Sequence, residues 1–227
     1  MQQDRDEIVK GLDYALQDGV TIQTGHGAVT LHHFSAGDLT VTSGAIVACD
    51  PPWADEKTPG FVTRIPPGRY PVILSIEHRR ARYQATYKDY QLVAFAILRL
   101  HDRRPVRWEI AEFDDKGKDI EEGEIPGYGV DTGIGCFMDA DATRVFVRRL
   151  QQDSEYHMVI SRQMDESDPS KTGWGWGTVN LEPDTAANVI FFSAGPGDGG
   201  YASFFGYDAD DIPVCLVTDF TLLWPGS

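Results

Sequence analysis

The chain has 227 residues, with 20 Lys+Arg against 35 Asp+Glu and a formal net charge of −15. Such a balance weighs against nonspecific binding to phosphate backbones or anionic lipid, which needs a cationic surface. At 41% hydrophobic and 24% charged residues, the composition is that of a folded globular protein with a real core, not a disordered chain.

Residues 4–18 read as a helix: Ile8, Leu12, Ala15 and Leu16 share one face, acidic residues crowd the start, and Gly19 stops it. From there to about residue 112 the pattern is mostly β. AVTLHHF (28–34), LTVTSGAIVAC (39–49), RYPVILSIEH (69–78), YQLVAFAILRL (90–100) and VRWEIAEF (106–113) are β-branched or aromatic runs bounded by turn residues. Residues 114–124 form a solvated acidic loop, and 140–152 a short helix with Asp139 as its N-cap. EYHMVIS (155–161) and NVIFFSA (188–194) read as strands, with a long polar loop over 162–187 that carries Trp174 and Trp176. YASFFGY (201–207) and VCLVTDFTLLW (214–224) are the last strands.

Near ten strands and two helices without a βαβ rhythm predict an α+β fold. Its core is a mainly antiparallel, curved sheet or two packed sheets, in a single domain. Within that domain, 1–37 would be an N-terminal helix and leading strand, and 38–227 the main body. No run approaches the ~20 apolar residues that span a bilayer, so no membrane is expected. The first ten residues lack a signal peptide's basic start and apolar run. Cys49, Cys136 and Cys215 are odd in number, sit in apolar surroundings and form no CxxC pair. Buried free thiols in a reducing cytoplasm are the expectation. Cys136 lies in a Gly-rich segment and is the one candidate nucleophile among them.

Three Asp-bearing segments, the last two rich in glycine, concentrate the unusual chemistry: CDPPW (49–53), GYGVDTGIGCFMD (127–139) and SAGPGDGGY (193–201) with GYD (206–208). Glycine lets the backbone turn sharply and approach a ligand closely. If Asp131, Asp198 and Asp50 converge, they are candidate catalytic carboxylates, and Asp131 and Asp198 candidate ligands of a divalent cation. Against this stands the ordinary role of such an Asp, capping its own turn. Tyr128, Gly129, Gly133, Gly197, Gly199, Tyr201, Trp174 and Trp176 are the candidate ligand contacts, the two tryptophans equally readable as loop anchors on the sheet. His32 and His33 are adjacent on a strand and point to opposite faces, so they do not make one metal site. Arg79-Arg80-Ala81-Arg82 and Arg103-Arg104 either pair with excess carboxylates or mark a polar partner site. Dinucleotide, Walker A, HExxH, G-x-S-x-G and EF-hand patterns are absent from the sequence.

The order IVACDP (46–51), IPPGRYPVILSI (65–76), WEIA (108–111), GYGVDTGIGCFMD, FFSAGPGDGGYASFFGYD (191–208) and VCLVTDF (214–220) resembles the family called domain of unknown function 4241, over about residues 38–221. The resemblance implies a bacterial, generally intracellular protein and transfers no catalytic residue. Pro196 departs from it, standing where a larger residue, often Trp, is expected. Two functions follow as expectations. The first is a non-catalytic protein that binds a basic protein partner or a small molecule, since its acidic surface complements a basic one. The alternative is a metal-assisted hydrolase of a phosphoester or nucleotide-like molecule, with Asp131 and Asp198 on the metal and Asp50 as third ligand or general base.

Overall fold

The computed structural model describes residues 2–24, 27–79, 90–115, 126–153, 156–168, 173–181 and 186–223. His26, Arg80, Arg82, Trp224 and most of the acidic loop over 114–124 lie outside them. In chain order the elements are α1 (Gln2–Ala15), β1 (Thr21–Thr24), β2 (Gly27–Val41), β3 (Ile46–Cys49), β4 (Gly68–Arg79), β5 (Tyr90–Arg99) and β6 (Arg107–Ile110). There follow β7 (Gly127–Val130), β8 (Ile134–Asp139), α2 (Ala140–Gln152), α3 (Tyr156–Ser167), β9 (Trp176–Asn180), β10 (Asn188–Ser193), β11 (Gly199–Tyr207) and β12 (Pro213–Asp219). The fold is α+β and wholly antiparallel in its described strand pairs.

One sheet runs β1-β2-β4-β5-β12-β11-β6, with β7 paired to the start of β11; the other runs β3-β8-β10-β9. Three buried clusters define four layers. Leu12 and Ala15 of α1 pack on Val29, Phe95, Ile97 and Val217, the outer face of the large sheet. Leu74, Leu98, Phe137, Ile190 and Phe192 fill the space between the sheets. Ala142 and Phe146 of α2 and Ile160 of α3 cover Val47, Met138 and Phe191 on the far side of the small sheet. Strands covered on both faces read as continuous apolar runs. Thus Val189 and Phe191 face the helices while Ile190 and Phe192 face the other sheet.

Two bulges reconcile this layering with strict alternation. In β2 the register shifts between Ser35 and Gly37, leaving Ala36 as an extra residue. Val29 and Leu31 therefore face α1, whereas Leu39 and Val41, of the same parity, face the inter-sheet core. The second bulge, opposite Ser75 and Ile76, places Ala94 and Phe95 of β5 together on the α1 side. The predicted strands 28–34 and 39–49 thus become one long bulged strand and a short one, β2 running across residues 37 and 38.

The expectation for 155–161 is corrected: this segment opens helix α3, which continues into the predicted polar loop. Tyr156, Ile160 and Met164 recur every four residues against the small sheet, so the apolar spacing is helical rather than alternate. The remainder of that loop contains β9, paired with β10. Gly177 is required there, because a Cβ would lie 2.5 Å from both the Phe191 ring and Gln163 Oε1 on α3.

Asp139 caps α2 as expected, its carboxylate accepting from Asp141 N at 3.0 Å. The same carboxylate accepts from Thr42 N and Oγ1 at 3.1 and 3.0 Å and from Ser43 N and Oγ at 3.0 and 2.7 Å. It joins the helix start to the turn between β2 and β3, at 1% exposure. Asp139→Ala orphans several donors at once and is expected to cost roughly 3 kcal/mol or more, read from urea unfolding. A loss below 1 kcal/mol would contradict this role.

Candidate functional site

Asp50, the turn after β7 and the loop before β11 come together at one corner. Asp50 ends β3 and precedes the 3-10 turn Pro51–Trp53. Its side chain is 2% exposed and points across to the turn between β7 and β8. Oδ2 accepts from Asp131 N at 2.8 Å and Thr132 N at 2.9 Å, and Oδ1 accepts from Thr132 Oγ1 at 2.8 Å. Asp50 therefore positions the loop that carries Asp131.

The β10–β11 loop closes on the same turn. Ala194 N donates to Gly133 O at 2.9 Å, and Gly197 N to Ala194 O at 2.7 Å. Gly195, at φ 48°, sits so close to Phe220 that a Cβ would lie 2.5 Å from that residue's own Cβ. Tyr201 Oη donates to Gly197 O at 2.8 Å. Val130 faces Gly199 and Gly129 faces Gly200 in the β7–β11 ladder. Asp131 follows and Asp198 precedes the last paired position of these neighbouring strands. Both are exposed. Gly129, Gly197 and Gly200 have open space where a Cβ would stand, so the backbone between the carboxylates is bare.

The two candidate tyrosines lie away from solvent. Tyr128 and Tyr201 belong to the inter-sheet core. Burial pushes both phenols up, and the Asp198 charge adds to this at Tyr201. Gly199 lies against the Tyr201 ring. Trp174 and Trp176 are half-buried around Phe34, ring centroids 5.1 and 5.3 Å away, and Trp174 Nε1 donates to Gln91 Oε1 at 2.9 Å. They anchor the segment before β9 onto β2 and β5. Cys136 is fully buried in β8, its Sγ 3.6 Å from that of Cys49, and burial holds its thiol well above the ordinary range. That removes it as a nucleophile, because the thiolate is the reactive form. Among the described residues no three His, Cys, Asp or Glu side chains converge as a set able to hold a metal ion.

A family model described as Protein of unknown function (DUF4241) matches residues 39–218. The chain belongs to that family. No curated protein and no solved structure matches. The matched DUF4241 segment contains Asp50 and both loops, while α1, β1 and most of β2 precede it.

At the other end of β11 the DUF4241 segment holds a cluster of ion pairs. Asp208, 5% exposed, accepts from Asp210 N at 2.9 Å and Ile212 N at 3.0 Å, closing the β11–β12 turn on itself. Arg103 Nη1 lies 2.5 Å from Asp208 Oδ2 and 3.3 Å from Asp210 Oδ2. Arg107 stacks on the Tyr207 ring at 4.4 Å and pairs with Glu109 and Asp211. Arg103 thus pairs with excess carboxylates. Arg104 has no ion pair among the described residues, and with Arg99 and His101 it lines a cleft. Only the adjacent Arg103-Arg104 pair signals it; Arg99 reads as an ordinary strand residue. No span among the described helices is long and apolar enough to cross a membrane.

The Ile212 N–H first, and then the Arg103 guanidinium, hold the Asp208 carboxyl below its ordinary value of 3.8. A depressed folded-state pKa stabilises the fold above the unfolded value, and that stabilisation is lost as pH falls through the folded one. Wild type is therefore expected to exceed Asp208→Asn in urea midpoint at neutral pH. The gap should shrink as pH falls below 3.8 and on through the lowered folded-state pKa. A gap that persists unchanged in acid would contradict the assignment.

Proposed function

We propose that this DUF4241 protein binds rather than turns over, and that the paired loops 131–133 and 195–198 present Asp131 and Asp198 to a basic segment of a protein partner. The reading rests on one observation: the Asp50 carboxylate is buried and engaged by three donors from the Asp131 loop. The loop pair is therefore fixed before any partner arrives. Pre-organisation lowers the ordering cost of association, and the net charge of −15 steers a cationic partner toward the surface. The bare backbone at Gly129, Gly197 and Gly200 allows close approach between the two carboxylates.

The hydrolase alternative needs Asp50 as a third ligand or as a general base. Engagement of both its oxygens with the loop takes away that group, so binding is the better reading. The three thiols are free, which fits a reducing compartment, and we place the protein there.

The test is titration of the protein with an arginine-rich peptide at low salt. Saturable binding that weakens as salt rises is expected. Asp131→Asn with Asp198→Asn should weaken it roughly two- to thirtyfold, the range for two exposed ion pairs. Asp165→Asn with Glu166→Gln makes the same charge change on α3 and should leave affinity nearly unaltered. Equal losses in the two double variants would contradict the proposal, leaving only diffuse charge attraction.

A further inference from the structure

The strongest charge anomaly lies far from the acidic loops. The nine residues of β11 separate the two places, about 27 Å along the strand. Between the C-terminal half of α1 and the neighbouring ends of β5 and β12 is a cleft of about 400 Å³. Four cationic or ionisable basic side chains line it, Arg99, His101, Arg103 and Arg104, against two carboxylates, Asp13 and Asp102. Asp13 already accepts from Trp108 Nε1 at 3.1 Å. Arg103 is held by Asp208 and Asp210.

Arg99 and Arg104 are different. The chain has 35 acidic residues, yet neither guanidinium has an ion-pair partner among the described residues. Two guanidinium forks at one depression, unpaired among the described residues, match a carboxylate or phosphate, which accepts two parallel hydrogen bonds from such a fork. Leu16, Ile97 and Val214 supply an apolar part of the lining. Burial pushes the thiol of Cys215, also in the lining, up to about 12, so it stays protonated and neutral. The cleft thus offers cationic anchors and apolar wall with no activated nucleophile.

We propose that this cleft binds a small organic oxyanion, a carboxylate or phosphate ester on an apolar body, anchored by Arg99 and Arg104. The α1 wall, including Asp13, Leu16 and Gln17, lies outside the residues matched to the family. The apolar body is therefore read partly by a segment that precedes the family match. This site is independent of the acidic loop pair and stands or falls separately from it.

The experiment is calorimetric titration of the full chain at low salt with phenyl phosphate, benzoate and inorganic phosphate. Phenyl phosphate or benzoate is expected to saturate, the tighter of the two identifying the oxyanion, and to bind more tightly than inorganic phosphate. Arg99→Gln with Arg104→Gln should weaken that binding about tenfold or more. Arg104→Gln alone, at an exposed position, should weaken it several-fold with circular dichroism unchanged. Asp131→Asn with Asp198→Asn should leave it as in wild type. The proposal is overturned if neither organic anion saturates, if inorganic phosphate binds as well as both, or if the arginine variants bind like wild type.

Discussion

A buried carboxylate just after β3 holds the corner where the two sheets and two Gly-rich loops meet. Asp50 accepts two backbone amides and one hydroxyl from residues 131 and 132. Removing a carboxylate from water is costly unless its oxygens are hydrogen-bonded, and here the bonding partners belong to a chain segment eighty residues away in sequence. The turn between β7 and β8 is thereby fixed to the small sheet, while β7 itself pairs with β11 of the large one. The tether holds the Asp131 turn, and the Ala194 N–H to Gly133 O bond closes the second loop on it. Asp139 repeats the device at the other end of β8, tying the β2–β3 turn to the start of α2.

Much of this fold is legible as pattern. Apolar runs such as VIFF, buried on both faces, identify central strands, and the α2 boundary follows from its Asp cap. Where local reading failed, the cause was a contact that sequence does not display. The segment after Asp153 has apolar residues close enough together to resemble a strand, and only the sheet beneath Tyr156, Ile160 and Met164 selects the helical spacing. The Gly-Trp-Gly-Trp-Gly stretch suggests a flexible loop, yet its glycines serve close packing: Gly177 admits Gln163 and Phe191, and Gly175 admits the Met164 carbonyl. In β2 the Ala36 bulge changes which face each residue uses, so a single long strand reads as two.

The candidate site was legible in part for the same reason. The two glycine-rich loops meet there because Gly195 and Gly197 adopt positive φ and Gly195 lies hard against Phe220. Composition could not say which aspartate would be inside. Asp50 serves the fold, Asp208 closes its own turn, and Asp131 and Asp198 are left at the surface. The cationic cleft was hidden by the opposite problem: bulk charge is an average, and Arg99, His101 and Arg104 meet only once β5 and the loop after it are folded against α1. A molecule of net charge −15 can therefore carry an acidic rim at one end of β11 and a basic hollow at the other.

The claim that Asp50 fixes this corner is tested most directly by amide hydrogen exchange at Asp131 and Thr132. Both residues lie in an exposed turn outside the strand ladders, so their amides would exchange at free-peptide rates if nothing held them. Strong protection of both in wild type, lost in Asp50→Ala while the β8 and β10 amides remain protected, is the expected result. Free-peptide exchange in wild type, or protection unchanged in the variant, would contradict it.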